Sequence, residues 1–389
     1  MEKTADAVVI GGGIMGASAA HFLAKKGLGK VVLLEKRTLA AVSTGHSAAN
    51  IRCAYSNPVT VQLAMCAFEL FENDRELLGG DTGFRTTGMM ILLGEEHVDI
   101  GKKVLQIEQQ QHSETQEIGL EEIQQLAPQF NLEGVVCATY QPRGGYADPV
   151  RTTNTLVEQA KKWGLAAYEG VGARNIQVDG NHVCGVETEQ GVIQTPVVVN
   201  AAGPWGGHIG ETAGREYSIR WSRESDLVLK LPSDFGDFPI IADPSCHTYF
   251  RPQWENRLLA GLDYPKEIEP LDINDYDPNL DAGTRQRIEQ RVLKRIPVLR
   301  EAEFDCGWAS IYTITGDWHP IVGAELGIEG YYACFGGSGH GFKLGPPIGE
   351  ALADVIVGQR PQIDIHPLRP SRFEEGDLFR SAWGEGNRA

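Results

Sequence analysis

Short apolar runs alternate with amphipathic stretches along the chain, and the clearest alternation stands at its start. Residues 7–10 (AVVI) are apolar and lead into the turn GGGIMG, and the stretch ASAAHFLAKK then favours a helix that stops at Gly27. A second apolar run, VVLLE, ends at Glu35. Strand, turn, helix and strand in this order predict a βαβ unit at the start of the chain.

The rest of the chain repeats strand-like and helical stretches without a linker, a repeat or a low-complexity tract. Helices are predicted at residues 58–78, 121–128, 148–164 and 284–297, the third of them capped by Asp148. Strands are predicted at residues 86–94, 175–180, 183–191, 192–200, 226–231, 248–252 and 257–261. A strand, a glycine-rich loop and a helix are expected within residues 331–358, with Pro346 and Pro347 in the first turn of that helix.

The first glycine-rich turn has the spacing of a dinucleotide-binding site. In the G-x-G-x-x-G pattern, Gly11 permits the tight turn, Gly13 lets the backbone approach a pyrophosphate and Gly16 lets helix and strand pack closely. The helix N-terminus offers unpaired N–H groups to the phosphates. Glu35 follows Gly16 by 19 residues, where a carboxylate can bind ribose hydroxyls and disfavours a 2′-phosphate. The turn by itself leaves NAD and FAD as alternatives.

Composition and charge exclude several classes of function. A chain of 389 residues with 42% hydrophobic and 22% charged residues suits two globular domains. The net charge of −17 argues against binding to nucleic acid or to an anionic membrane. Without a long apolar run or room for a signal peptide, we expect no membrane span and a cytoplasmic location. The spacing of the cysteines and histidines predicts neither disulfides nor a metal site.

Five pieces of the sequence resemble the FAD-dependent amine and amino-acid oxidoreductases, which include D-amino-acid oxidase, glycine oxidase and sarcosine oxidase. The pieces are GGGIMG with Glu35, STGHSAANIR, GGYADP, VVNAAGPW and GGSGHGFKLGPPIG. The resemblance implies one bound FAD and no bound nicotinamide, because no second G-x-G-x-x-G turn follows.

The same resemblance predicts the domain organisation. The fold class is α/β, with a Rossmann-like FAD-binding domain interleaved with a β-rich (α+β) substrate domain. The FAD-binding domain is expected to comprise residues 1–85, 147–215 and 320–389, and the substrate domain residues 86–146 and 216–319.

The motifs also predict which residues contact the cofactor. A helix N-terminus behind the C-terminal loop would stabilise negative charge on the reduced flavin. The expected FAD-binding residues are Gly11, Gly13, Ile14, Met15, Gly16, Glu35, Lys36, Ser43, Thr44, Gly45, His46, Ser47, Ala201, Gly203, Trp205, Gly336, Gly337, Gly339, His340, Gly341, Phe342 and Lys343.

Arg52 and Lys343 are the predicted substrate-binding residues. A cation beside a helix N-terminus is electrostatically unfavourable, so a functional role explains Lys343 better than a structural one. The segments IRCAY and SGHGFK resemble those of the monomeric sarcosine oxidases, and this implies that Arg52 and Lys343 bind the substrate carboxylate. An arginine can bind a carboxylate through two parallel hydrogen bonds. His340, Tyr312 and Tyr249 are candidate catalytic neighbours.

Three functions remain open at this stage. The first is oxidation of the C–N bond of a small amino acid or an N-methyl (secondary) amino acid, by hydride transfer to flavin N5 and hydrolysis of the resulting imine. The second is oxidation of a 2-hydroxy acid, for which His340 or His319 would act as the base. The third is a flavin-bearing subunit of a larger complex. The expected partners are a small carboxylate-bearing amine and an electron acceptor, which is oxygen, a quinone or a protein.

Two departures from the sarcosine oxidase pattern lead to further predictions. That family places a lysine above the flavin for reaction with oxygen, whereas Leu259 aligns with this position and Lys266 is the next lysine, which favours a dehydrogenase. Ser310 stands where those enzymes have the cysteine that bonds to the flavin. His46 compares with the histidine that carries the flavin in dimethylglycine-dehydrogenase-like members, but Gly45 replaces their tryptophan. We therefore predict noncovalent FAD.

Overall fold

The computed structural model describes residues 1–263, 268 and 271–384. Its helices are α1 (Ile14–Lys25), α2 (Pro58–Glu72), α3 (Asp74–Leu77), α4 (Val98–Gln110), α5 (Leu120–Leu126), α6 (Pro149–Lys161), α7 (Gly206–Thr212), α8 (Ala282–Arg295), α9 (Gly341–Ile356) and α10 (Arg372–Glu375). Its strands are β1 (Ala7–Ile10), β2 (Val31–Glu35), β3 (Asn50–Ile51), β4 (Arg85–Thr86), β5 (Met89–Leu93), β6 (Gln116–Ile118), β7 (Cys137–Gln141), β8 (Gly145–Tyr146), β9 (Ala166–Glu169), β10 (Ala173–Asp179), β11 (His182–Thr188), β12 (Gly191–Gln194), β13 (Val198–Asn200), β14 (Ile219–Lys230), β15 (Ile240–Asp243), β16 (Thr248–Gln253), β17 (Arg257–Leu262), β18 (Phe304–Thr315), β19 (Ile321–Ala324) and β20 (Tyr331–Phe335).

One six-stranded sheet carries the opening βαβ unit, in the order β19-β20-β13-β1-β2-β9. Its pairs are parallel except for β19 with β20. Strands from the start, the middle and the end of the chain meet in this sheet, as the α/β fold prediction requires. The apolar residues of β1 and β2 are buried, as expected for a parallel sheet covered on both faces.

A second sheet has eight strands, in the order β18-β14-β17-β16-β15-β5-β7-β6. It is antiparallel except between β15 and β5, where Ile240 is paired with Met89. Apolar side chains of α5, α8 and the strands form its core. The sheet combines strands from the two separate stretches assigned above to the substrate domain. The exact domain boundaries stay a prediction.

Helices α1 and α9 pack against each other at glycine positions. A Cβ on Gly349 would lie 2.6 Å from the backbone carbon and Cβ of Ser18, and one on Gly345 would lie 2.9 Å from Ile14. The helix axes are therefore closer than alanine would permit. This contact places the N-termini of both helices next to each other.

The structure corrects several predicted elements. The helix expected at 58–78 is interrupted at Asn73, whose backbone leaves the helical region at φ −112° and ψ 35°. The Asp74 carboxylate, just beyond the break, accepts hydrogen bonds from the amide and hydroxyl of Thr82, both at 2.7 Å. Helix α4 was not predicted, because a glycine and a glutamate on its buried face interrupt the apolar pattern of a helix. The cap of α6 is confirmed: Asp148 accepts a hydrogen bond from the Arg151 amide at 2.9 Å.

The start of the last long helix was also predicted wrongly. Helix α9 begins at Gly341, so Pro346 and Pro347 lie in its interior rather than in its first turn. Proline has no N–H group, so the carbonyls of Phe342 and Lys343 lose their usual helical donors. Lys343 consequently lies within the first turn of the helix, not ahead of it.

Within the described ranges, no helix combines the length and the apolar character needed to cross a membrane.

Candidate active site

A cavity of about 370 Å³ lies where strands β1 and β2 end, and we call it the strand-end cavity. Gly11 lines it at a φ of +109°, and a Cβ there would lie 2.3 Å from the carbonyl oxygen of Ala201. A Cβ on Gly16 would lie 1.9 Å from the carbonyl oxygen of Gly11. Both positions therefore require glycine, and no side chain projects from the turn at either residue.

Charged side chains occupy the wall of the strand-end cavity next to β2. The Glu35 carboxylate accepts hydrogen bonds from the amides of Gly12 and Arg37, both at 2.7 Å, and these fix its orientation. The Lys36 ammonium lies 2.9 Å from the centre of the Trp205 ring, a cation–π contact. Burial lowers the pKa of Lys36 to about 8, and the nearby Arg37 contributes to this shift.

A smaller cavity of about 110 Å³, the loop cavity, lies between the N-termini of α1 and α9. Gly13, Ile14 and Met15 line one side, and Gly339 and Gly341 line the other. Two helix N-termini directed at one cavity make it favourable for negative charge. The Thr44 hydroxyl accepts a hydrogen bond from the Ile14 amide at 3.0 Å.

The third cavity, the sheet cavity, has a volume of about 380 Å³ and borders the eight-stranded sheet. Arg52 and Lys343, which are far apart in the sequence, both line it, as do Tyr249 and Tyr312. Apolar side chains of β5 and β15 form part of its wall, namely Met89, Ile91, Ile240 and Ala242. The cavity can thus accept an anionic group beside an apolar one.

The two cations of the sheet cavity are held in different ways. Arg52 donates from Nη1 to the carbonyl oxygen of Ala54 at 2.7 Å, and its guanidinium lies 4.8 Å from the centre of the Tyr55 ring. Lys343 is 5% exposed in the first turn of α9. Its charge opposes the helix dipole, and an anionic ligand in the cavity would offset this cost.

The three cavities form one groove because neighbouring cavities share lining residues. The strand-end and loop cavities share Gly13, Ser43, Thr44, Ala201 and Gly203. The loop and sheet cavities share Ser47, Tyr312, Gly339 and Phe342. The groove runs from Glu35 past two helix N-termini to the eight-stranded sheet. An extended dinucleotide fits this arrangement, with its non-adenine end beside the sheet cavity.

Most of the predicted cofactor residues line this groove. They are Gly11, Gly13, Ile14, Met15, Glu35, Lys36, Ser43, Thr44, Ser47, Ala201, Gly203, Trp205, Gly336, Gly337, Gly339, Gly341, Phe342 and Lys343.

Gly16, Gly45, His46 and His340 are not among the described residues that line the groove. Gly16 and Gly45 serve close packing, since a Cβ on Gly45 would lie 2.4 Å from the Ala40 carbonyl oxygen. The Nδ1 of His46 lies 2.9 Å from the carbonyl oxygen of Val42, within its own loop. Noncovalent attachment of the FAD stays a prediction.

His340 and His319 lie behind the groove, each 1% exposed. His340 donates from Nε2 to the carbonyl oxygen of Trp318 at 3.0 Å. His319 has Nδ1 at 2.9 Å from the carbonyl oxygen of Asp317, and burial lowers its pKa to about 4. Neither histidine is among the described residues that line the sheet cavity. Tyr249, which does line that cavity, donates a hydrogen bond from its hydroxyl group to the buried Asp226.

Sequence reasoning missed several lining residues of the sheet cavity. His97, His247, Asp263 and Trp383 come from loops and from the C-terminal segment. No local pattern marks them, because only the packing of distant segments brings them to one cavity. In the described part of the chain, no group of three or more His, Cys, Asp or Glu residues is arranged to hold a metal ion.

Comparison with known proteins agrees with this geometry. The family described as FAD dependent oxidoreductase (DAO) matches residues 6–355. The chain belongs to this family. Its cofactor is accordingly FAD, which confirms that prediction and decides between the two dinucleotides that the turn left open.

Individual relatives resemble the chain at low identity. Mitochondrial sarcosine dehydrogenase from Mus musculus is 28% identical over 98% of this chain and 43% of its own length. Mitochondrial dimethylglycine dehydrogenase from Homo sapiens is 27% identical over 95% of this chain and 44% of its length. The chain thus spans less than half the length of these relatives. The crystal structure of L-proline dehydrogenase from P. horikoshii superposes with a TM-score of 0.91 at 28% identity, covering 97% of this chain and all of that one.

Proposed function

We propose that the protein oxidises the C–N bond of a small amino acid or a secondary (N-methyl) amino acid. The observation that carries this proposal is the shared position of Arg52 and Lys343 in the sheet cavity, next to the groove that fits FAD. Two cations suit a substrate carboxylate, and the adjoining apolar wall suits carbon substituents.

The chain's own residues position the substrate in this proposal. Bound FAD supplies the hydride acceptor. Arg52 and Lys343 hold the carboxylate, which fixes the α-carbon relative to the groove and lowers the entropic part of the barrier. Tyr312 lines both the loop cavity and the sheet cavity, so we expect it to contact both cofactor and substrate. An amine that binds in its neutral form needs no strong base.

The relatives named above support the same class of substrate. Sarcosine, dimethylglycine and L-proline, which appear in the names of these relatives, are all amino acids with a substituted amine. The proposal extends this common chemistry to the present chain and does not choose among the three compounds.

The test is anaerobic bleaching of the flavin absorbance in the purified holoenzyme. We expect at least one of sarcosine, N,N-dimethylglycine, L-proline, glycine or a D-amino acid to bleach it. The matched controls are dimethylamine and pyrrolidine, which lack the carboxylate and should bleach at least 100 times more slowly. Equal bleaching by the controls would exclude the carboxylate clamp, and no bleaching by any amine or 2-hydroxy acid would favour a subunit of a larger complex.

Oxidation of a 2-hydroxy acid is the second candidate. It requires a base, and the burial of His340 and His319 disfavours the two residues first considered for this role. His97 and His247 line the sheet cavity and take their place in this alternative. Bleaching by lactate or a longer 2-hydroxy acid, but by no amino acid, would select it.

For the electron acceptor, we propose a dehydrogenase that uses a quinone or a protein rather than oxygen. Leu259, aligned with the lysine of sarcosine oxidases, is a buried apolar residue of β17. Lys266, the next lysine, lies outside the described residues. Reduced holoenzyme mixed with aerated buffer should regain its yellow colour over minutes. Reoxidation within seconds would contradict this assignment.

A further inference from the structure

A glutamate lies on the buried face of α4, close to the proposed substrate-binding arginine. Ile100 of this helix lines the sheet cavity, and Val104 and Glu108 follow at four-residue spacing on the same face. Val104 and Glu108 are each 3% exposed. An amphipathic helix normally places apolar residues on its buried face, so an acid there calls for a specific role.

A hydrogen-bond network surrounds the Glu108 carboxyl group. The Thr115 hydroxyl and the Tyr55 backbone amide hydrogen-bond to it. The Thr115 hydroxyl also accepts from Nε2 of Gln141 at 3.0 Å and lies 2.6 Å from the Ser113 hydroxyl. The Oε1 atom of Gln141 in turn accepts from the Cys53 amide at 2.7 Å. The network therefore ties the backbone of residues 53–55 to α4 and β7.

Residues 54 and 55 also fix the Arg52 guanidinium. Its Nη1 donates to the Ala54 carbonyl oxygen, and its Cζ lies 4.8 Å from the centre of the Tyr55 ring. Any shift of residues 53–55 would thus move the guanidinium within the sheet cavity. Through these residues, the buried network acts on the group proposed to hold the substrate.

We propose that Glu108 is a positioning residue that holds residues 53–55, and through them Arg52, in place. The charge on its carboxyl group then sets how strongly the sheet cavity binds a carboxylate. The inference rests on the proposed function, because it takes Arg52 as the carboxylate-binding group. A neutral Glu108 leaves the positive charge of Arg52 to the ligand, whereas an ionised Glu108 competes for it.

The surroundings of Glu108 define the pH range of this effect. Burial raises its pKa to about 8, and the hydrogen bond from Thr115 and the charge of Arg52 oppose this rise. Cys53 is the other titratable group coupled to it, and burial raises the pKa of that thiol, so it stays protonated. Ser113, Thr115 and Gln141 are neutral. Carboxylate binding should therefore weaken as the pH rises through about 8.

The experiment measures binding of propionate to the holoenzyme through the change it causes in flavin absorbance, from pH 6.5 to 9.5. Propionate has no amine, so its own charge is constant over this range. In the wild type, the dissociation constant should rise about tenfold, the factor that corresponds to one pKa unit of coupling. In Glu108→Gln, which keeps the size of the side chain but cannot ionise, this rise should be lost.

Two further variants make the result specific. Glu117→Gln removes a half-exposed carboxylate from nearby β6 and should keep the wild-type pH profile. Glu108→Asp keeps a titrating group but shortens it, so it should weaken binding at every pH and retain the alkaline loss. It also provides the test if Glu108→Gln yields no holoenzyme.

The outcomes separate this inference from the proposed function. If Glu108→Gln keeps the alkaline loss of affinity, the role of Glu108 is wrong while the carboxylate clamp stands. If propionate does not bind to the wild type at any pH, the clamp itself is wrong and the role of Glu108 falls with it.

Discussion

At the scale of single residues, the candidate site combines two cations from opposite ends of the chain. Arg52 is held by the carbonyl of Ala54 and the ring of Tyr55, and Lys343 is buried in the first turn of α9. Arg52 faces the sheet cavity, and Lys343 lies at the positive end of a helix dipole. In the proposed function, a substrate carboxylate binds to both.

The first prediction concerns Arg52→Gln. This change removes charge-assisted hydrogen bonds worth about 1.5–3 kcal/mol, so the apparent dissociation constant of the amino-acid substrate should rise about 10- to 100-fold. The measurement is anaerobic flavin reduction at a series of substrate concentrations. Arg220→Gln on β14 is the control, because Arg220 is exposed, and it should leave binding unchanged. If Arg52→Gln weakens an amine without a carboxylate to the same degree, Arg52 does not act on the carboxylate.

At the scale of secondary-structure elements, the contact between α1 and α9 builds the loop cavity. Both helices begin at that cavity, and glycines at their crossing allow the close approach. The long strands β14 and β18 pair along most of their length and carry Asp226 and Tyr312 to the region of the site. The helices and strands therefore contribute to the candidate site mainly by fixing where their ends meet.

The second prediction tests this contact with Gly349→Ala. A Cβ there would overlap Ser18 at 2.6 Å, and such overpacking costs about 1–3 kcal/mol, more than the gain of up to about 1 kcal/mol in helix propensity. We expect a lower midpoint of urea unfolding and faster loss of FAD during gel filtration.

Gly283→Ala in α8 is the matched control for this substitution. Its Cβ would meet only Asp281, at an ordinary contact distance of 3.4 Å, so the same chemical change should leave stability unchanged or raise it by about 0.5–1 kcal/mol. Equal stability in the two alanine variants would show that the crossing of α1 and α9 is not closely packed.

At the scale of the whole molecule, buried histidines tie stability to pH. Burial lowers the pKa of both His21 and His319 to about 4, so both are neutral in the folded protein above that pH. In the unfolded chain they protonate near pH 6.5. Between pH 6.5 and 4 the unfolded state binds more protons, so the native state loses stability as the pH falls through this window.

The third prediction follows from His21, which has Nδ1 at 2.9 Å from the Leu156 carbonyl oxygen. Protonation of His21 in the unfolded chain should lower the free energy of unfolding by up to about 1.4 kcal/mol for each unit by which the pH falls within this window. In His21→Gln, which keeps a hydrogen-bond donor but cannot titrate, the fall in the urea midpoint from pH 7 to pH 5 should be smaller than in the wild type. His366→Gln changes an exposed histidine and should keep the wild-type fall. An unchanged fall in His21→Gln would show that His21 does not titrate differently on unfolding.

The opening βαβ unit, the cofactor turn and the apolar strands were predictable from the sequence because local chemistry determines them. Gly11 needs a positive φ, Gly16 needs close packing, and Glu35 ends a strand at a set distance from the turn. Each requirement acts within a few dozen residues, so it leaves a pattern in the sequence. The family resemblance, and with it the prediction of FAD as the cofactor, follows from the same sequence patterns.

Long-range packing decided the rest. Helix α4 carries Glu108 on its buried face, which obscures the apolar period, and the true start of α9 at Gly341 places two prolines inside a helix, against their local preference. His97, His247 and Trp383 reach the sheet cavity only after distant segments fold together. His340 belongs to a predicted cofactor loop, yet its ring turns to the Trp318 carbonyl. Local sequence determines backbone turns and strands, whereas the direction of a side chain and the pairing of remote charges depend on contacts that exist only in the folded molecule.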